Sequence, residues 1–148
     1  MIRTTTLGDL TALMQIETNS FDRSSFAMSR QNFIYHINKE AVLYVYEADD
    51  TLAGYILVFV RKNSPKARIY SVAVKESYRG QGIATALFEK AISYAKETAK
   101  DTITLEVRAD NENAIKLYKK LGFKTQKRLK GYYPDKMDAL TMELFLNL

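Results

Sequence analysis

The sequence predicts a three-layer α/β domain, and three observations carry that expectation. The first is size: 148 residues with 47% hydrophobic and 11% aromatic content suit one domain with a substantial core. No repeat, low-complexity stretch or linker interrupts it, so residues 1–148 are expected to fold as a single unit. The second is periodicity, which alternates between the strand and helix repeats in the order β-α-α-β-β-β-α-β-α-β-β. The third is the pair Gly80 and Gly82, lying between an apolar strand-like run and a helix-like one.

Each element has its own signal. Residues 2–6 form a short strand. Leu10, Leu13, Met14 and Ile16 give an apolar stripe at helical spacing, and Phe33, Ile34 and Ile37 mark a second short helix starting near Ser29. Residues 42–46 are β-branched and aromatic, Asp49-Asp50 is a turn, and residues 53–61 resume as a strand, which makes a hairpin. Residues 68–74 are nearly unbroken in apolar and aromatic content, as expected of a central strand buried on both faces. Ala84, Leu87, Phe88, Ala91, Ile92 and Ala95 define one face of a helix reaching about residue 99. A strand at 102–108 follows, then a helix over 113–121 closed by Gly122, whose missing Cβ permits a C-terminal cap at positive φ. Residues 123–129 and 139–145 are the last two strands.

Composition removes several function classes. With no cysteine in the chain, disulfides, thiolate metal sites and a covalent relay through an enzyme thiol are excluded. The lone His36, with no second His or Cys at ligand spacing, is expected to be structural or solvent-facing, and no metal is expected. The first six residues lack the apolar run of a signal peptide, and no stretch approaches the roughly 20 apolar residues of a membrane span. A cytoplasmic protein with no membrane partner is the expectation. The net charge of +5 suits an anionic ligand without naming it. Lysines and arginines are dispersed rather than clustered, which speaks against nucleic acid.

The run Arg79-Gly80-Gln81-Gly82-Ile83-Ala84 opens a predicted helix. Amides at a helix start lack internal partners and carry partial positive charge, and glycines let a ligand approach closely. Together they make an anion site suited to a pyrophosphate. A strand-to-helix turn needs glycine for geometric reasons as well, so the segment alone leaves both readings open. A mononucleotide P-loop would need Lys-Ser/Thr after the glycine, where this chain has Ile83-Ala84-Thr85. A dinucleotide fold would need a third glycine and a strand near the start of the fold.

With Val72-Ala73-Val74 before it, the glycine run matches Gln/Arg-x-x-Gly-x-Gly/Ala through Arg79, Gly82 and Ala84. A second block, residues 111–123, has the form N-x-x-A-I-x-L-Y-x-x-x-G-F. Both blocks, in this order, resemble the GNAT superfamily of N-acetyltransferases, and the resemblance spans essentially the whole chain. It implies a mixed, mostly antiparallel central sheet and acetyl-CoA as co-substrate. By the same resemblance Val72, Ala73 and Val74 hold the pantetheine arm and acetyl carbonyl, the amides of Gly80, Gln81, Gly82, Ile83, Ala84 and Thr85 wrap the pyrophosphate beside Arg79, and Asn111 bonds the pantetheine from the other side. The chain departs from the family at Lys75-Glu76-Ser77, where a proline is common.

Acetyl transfer needs a neutral amine, a polarised thioester and a proton for the departing thiolate; without cysteine, direct attack in a ternary complex is expected. Period-two alternation places Thr104, Glu106 and Arg108 on one face, which makes Glu106 a general-base candidate or, equally simply, a carboxylate paired with a nearby cation. Its spacing to Asn111 and Tyr118 resembles that of ribosomal-protein alanine N-acetyltransferases, which implies that Glu106 accepts the proton and Tyr118 is the general acid. Tyr118 is otherwise a packing residue beside Leu117 and Leu121. Tyr132 and Tyr133, before Asp138-Ala139, are similar to the tyrosines that clamp the acceptor peptide in protein N-terminal acetyltransferases, with Glu17 and Phe21 on the opposite wall. Where relatives often have Pro-Trp-Ser, this chain has Ser24-Ser25-Phe26, so first-residue selectivity does not carry over.

The expected acceptor is therefore a protein N-terminal α-amine. Acetylation of a small amine (a polyamine, amino acid or aminoglycoside) is the enzymatic alternative, which the positive charge opposes for polycations. A non-catalytic acyl-CoA-binding module is the other, which Glu106 and Tyr118 oppose. A monomer or weak homodimer is expected.

Overall fold

The computed structural model describes residues 1–20, 28–38 and 42–146. Along the chain it contains β1 (Ile2–Thr4), a single 3-10 turn, α1 (Leu10–Ser20), α2 (Arg30–Asn38), β2 (Val42–Ala48), β3 (Thr51–Val60) and β4 (Lys66–Val74). A second 3-10 turn then leads to α3 (Ile83–Glu97), β5 (Thr102–Arg108), α4 (Glu112–Lys120), β6 (Lys124–Leu129) and β7 (Ala139–Phe145). The element order is the one the periodicity predicts. The seven strands form one sheet in the order β1-β2-β3-β4-β5-β7-β6. It is antiparallel throughout except between β4 and β5.

Two cores, one on each face of the sheet, make the three layers. On one face Leu87, Phe88, Ala91 and Ala95 of α3 pack on Ile56, Val58, Ile103 and Met142. On the other, Leu13 and Ile16 of α1 and Phe33 of α2 pack on Leu43, Val45, Tyr55 and Leu57. Burying a side chain such as Leu87 or Phe88 is worth roughly 1.5–3 kcal/mol. β3 serves both cores: its burial is continuous from Leu52 to Val58, with Ile56 and Leu57 facing opposite sides. Gly54 is obligatory there, because a Cβ would lie 2.9 Å from the Ala73 carbonyl oxygen.

The local signals have local causes. Asp49 and Asp50 both adopt positive φ, 53° and 59°, as a tight hairpin turn requires. Gly122, at φ 105°, follows α4, with its N–H on the Lys119 carbonyl and the Phe123 N–H on that of Tyr118, which is a Schellman closure. Lys100 is 5% exposed, and its ammonium donates to the carbonyls of Arg61 and Ser64, so a buried cation ties down the β3–β4 connection.

β4 corrects the sequence expectation. It is central, but it is not buried on both faces: Ala67, Ile69 and Ala73 are buried while Arg68, Ser71 and Val72 are partly exposed and Tyr70 is 42% exposed. The cause is topological. β4 and β5 pair only at Lys66–Thr102, Ala67–Ile103 and Arg68–Thr104, although both strands continue. Beyond Arg68 they diverge, and the open wedge is where the candidate site lies.

Candidate active site

The wedge is filled from two sides by two grooves. The first runs along the end of β4 into the N-terminus of α3, has a volume of about 620 Å³, and is lined by Val72–Val74, Arg79, Gly80, Gly82 and Ile83–Thr85, closed by α4 residues. Gly80 and Gly82 have φ of 80° and 78°, and Gly82 is the N-cap of α3. A Cβ at either would meet no atom within 4 Å, so the backbone angle, not crowding, demands glycine there. The open space over them leaves the first amides of α3 accessible to an anion. The Arg79 Nε donates to the Val74 carbonyl at 3.2 Å, which bends the connection back onto β4. The glycine run, the strand before it and Asn111 thus meet around one groove, and the residues present suit a phosphate-bearing ligand. Gln81 is exposed in the same turn and does not line that groove.

The second groove, of about 250 Å³, lies between the diverging strands and contains Glu106, Arg108, Tyr132 and Tyr133. Val72, Asn111 and Tyr118 line both grooves. Asn111 also caps α4, its Oδ1 accepting from the Ala114 N–H at 3.2 Å. Tyr118 is 9% exposed and packs against Phe88 and Phe123, with ring centroids 5.3 and 6.1 Å away. Its hydroxyl has no hydrogen-bond partner among the described residues. Burial pushes it up to about 12, so it remains a proton donor at any ordinary pH. The packing expected of the Tyr118 ring is observed, and its position joins the grooves.

The alternation expected for β5 is observed, with Ile103, Leu105 and Val107 buried and Thr104, Glu106 and Arg108 partly exposed. Glu106 accepts a 2.9 Å ion pair from the Arg68 Nη2. Arg68 has no place among the residues the motifs single out; its signal is a cation at the head of the apolar run that follows it in β4. Arg108 organises the far wall. Its guanidinium pairs with Asp135 at 2.7 Å and Asp110 at 3.1 Å and lies 5.1 Å from the Tyr133 ring centre. Asp138 adds a second anchor, accepting from Arg128 and from the Gly131 N–H. Tyr132 and Tyr133 meet edge to face with centroids 5.2 Å apart, and burial holds the Tyr133 hydroxyl up at about 12.

The wall expected opposite these tyrosines is built differently. Glu17 is 1% exposed, with its carboxyl accepting from the Met28 N–H and the Tyr55 hydroxyl. Tyr55 in turn bonds the Ser71 hydroxyl at 2.9 Å, and Ser71 lines the second groove. Glu17 therefore sits beneath the cleft floor, not on its surface. Burial raises the pKa of Glu17, and burial of Tyr55, with the neighbouring Glu17 charge, raises that of the phenol. Phe21 and residues 24–26 lie outside the described residues. His36 is half-buried against Phe59 and Tyr70, at centroid distances of 5.0 and 6.5 Å. Among the described residues no group of three or more His, Cys, Asp or Glu is placed to hold a metal, and no helix is long and apolar enough to cross a membrane.

Comparison with known proteins agrees with this geometry. The chain is 34% identical to a protein of Bacillus subtilis named putative [ribosomal protein bS18]-alanine N-acetyltransferase, over 99% of this chain and 95% of that one. It is 40% identical to an N-alpha-acetyltransferase of Sulfurisphaera tokodaii, over 74% of this chain and 73% of the other. Among solved structures, Ard1 of Thermoplasma volcanium superposes with a TM-score of 0.90 at 29% identity, covering 100% of this chain and 98% of that one. Residues 10–123 match the acetyltransferase (GNAT) family, and the chain belongs to that family.

Proposed function

We propose that this enzyme transfers an acetyl group from acetyl-CoA to the α-amine at a protein N-terminus, the alanine of a ribosomal protein being the acceptor class named for its Bacillus relative. One observation carries the reading: two grooves of different chemistry meet at Val72, Asn111 and Tyr118. The cofactor groove offers unpaired helix amides to a pyrophosphate, and the acceptor cleft offers a carboxylate and paired tyrosines to a peptide end. Acetyl-CoA supplies the activated acetyl thioester.

The chain's own residues supply proton management and orientation. Glu106 takes a proton from the acceptor ammonium, directly or through one water, leaving the nitrogen lone pair free to attack. An α-amine has a pKa of ~8 against ~10.4 for lysine, so at neutral pH roughly a tenth of it is already neutral. The base then has about 3 kcal/mol less to do than it would for a lysine. As the C–S bond breaks, the hydroxyl of Tyr118 gives its proton to the departing sulfur, and the surplus proton shed by the new amide nitrogen balances the one the phenol has lost. Val72–Val74 orient the thioester from one side and Asn111 from the other; Arg79, Gly80 and residues 82–85 hold the phosphates. Tyr132 and Tyr133 grip the acceptor backbone, and Glu17 supports the cleft from beneath its floor through Tyr55 and Ser71.

Incubation with acetyl-CoA and either N-terminal peptides or small amines, followed by thiol release, tests this. Peptides with free α-amines are expected to be acetylated, and blocked peptides carrying only lysine amines are not. Turnover of polyamines or amino acids alone would overturn the acceptor assignment, and no turnover with any amine would overturn the enzymatic one.

A further inference from the structure

Two arginines stand in the acceptor cleft, and they are not partnered alike. Arg108 is 17% exposed, and its guanidinium is satisfied by Asp110 and Asp135 while it rests on Tyr133. Arg68 is 43% exposed and meets one acceptor among the described residues, the Glu106 carboxylate at 2.9 Å from Nη2. Its Nε is buried and has no hydrogen-bond partner among the described residues. The exposure of the side chain therefore lies away from Nε, and the accessible donors are at the end of the guanidinium fork. The ring of Tyr70 lies 5.6 Å from that guanidinium and limits its swing, and Tyr70 is backed by Phe59 and His36. A planar fork, pre-set by an aromatic ring and offering donors that no other described residue takes, matches a carboxylate better than any other side-chain group of a peptide.

We infer that Arg68 selects the acceptor by charge, favouring peptides that carry an acidic side chain in their first two residues. The inference rests on the proposed acetylation of protein N-termini. Because Glu106 takes the amine's proton and already touches Arg68, the guanidinium stands next to where the acceptor's first residues must lie. A carboxylate there completes the fork. A lysine or arginine there meets a cation whose one counter-charge among the described residues, Glu106, is engaged with the α-amine. Specificity then comes from both attraction and repulsion.

Four peptides of otherwise identical sequence test this, with Glu, Gln, Lys or Ala at the second residue, in parallel with a set varied as Asp or Asn at the first. The wild-type enzyme is expected to favour Glu over Gln about fivefold in kcat/KM, the scale of one partly exposed ion pair, with Lys lowest. The preference is expected to shrink toward unity in about 1 M salt. Arg68→Gln is expected to abolish the ratio, and Arg68→Lys to keep part of it. A ratio within a single variant is insensitive to any general loss of activity or stability. A wild-type ratio near one, a preference for Lys, or a Glu-over-Gln ratio that survives Arg68→Gln overturns the inference while leaving N-terminal acetylation standing. Failure of the wild type to acetylate any of the peptides overturns the acceptor reading, and this inference with it.

Discussion

The cofactor groove and the acceptor cleft share a wall, yet they are made of different material. The floor of the groove is built from consecutive backbone: the end of β4, two glycines at φ near 80° and the first amides of α3, all within residues 72–85, with Asn111 and α4 closing it. The cleft is built from side chains joined across the chain, with Arg68 and Glu106 38 positions apart and Arg108 and Asp135 27 apart. A binding surface made of backbone constrains local conformation and leaves most side chains free. One made of side chains depends on the fold to bring partners together, and each partner can be changed independently. Within one domain, then, the cofactor is recognised by chain geometry and the acceptor by chemistry that single substitutions can retune.

Breaking the shared wall should have the largest effect. Tyr118→Phe removes one oxygen from a ring that stays packed against Phe88 and Phe123. It is expected to lower kcat by about 10²-fold, with both KM values within about twofold, as befits a lost general acid. Melting temperature checks that packing survives. Full kcat in that variant would remove Tyr118 from the chemistry and leave it a core residue. Glu106→Gln is expected to cost somewhat less, about 30-fold at pH 7, and the defect has a stated pH dependence. The acceptor amine loses its own proton near pH ~8, so the need for a base fades above that value, and the ratio of wild-type to variant rates should narrow from pH 7 to pH 9. A ratio constant across that range would assign Glu106 to holding Arg68 and not to proton transfer.

The third change touches the groove alone. Gly82→Ala forces a Cβ into φ 78°, at a cost of about 1–2 kcal/mol, without any clash to blame. KM for acetyl-CoA is expected to rise about tenfold while the acceptor KM stays put. Equal changes in both would mean that the two halves are mechanically coupled, and the contrast drawn above would fail.

That contrast also explains what could be read from the residues alone. Element order was legible because each element announces itself locally: the alternation of β5, the stripe of α3, Gly122 after α4. The glycine turn was legible for the same reason. Glu106 and Tyr118 were visible as positions in a motif, but not their surroundings, because neither the Arg68 ion pair nor the packing of Phe88 on Tyr118 has any local signature. The burial assigned to β4 was wrong because apolar content does not reveal that its parallel ladder with β5 stops after Arg68. Glu17 is expected on the wall opposite the tyrosines and is instead 1% exposed, since nothing in its own helix announces Tyr55, a partner 38 residues away.

The smallest effect is expected where the cleft's far wall is held by charge. Arg108 holds Asp135 below the usual carboxylate range, and Arg128 with the Gly131 N–H does the same for Asp138. A carboxylate whose folded pKa is depressed contributes order that is complete above its ordinary value and lost as pH falls through the depressed one. The wall carrying Tyr132 and Tyr133 should therefore hold above about pH 4 and loosen below it. The cofactor groove takes its anion site from backbone amides, which have nothing to titrate in that range. Calorimetric titrations between pH 5 and pH 3.5 should show acceptor-peptide affinity falling before acetyl-CoA affinity does. Asp135→Asn mimics the protonated state at neutral pH and is expected to raise acceptor KM about threefold, the scale of an exposed charge pair, with KM for acetyl-CoA unchanged. Should the variant bind peptide as well as the wild type, the wall would owe its position to the packing of Tyr133 on Arg108, and charge would be incidental to it.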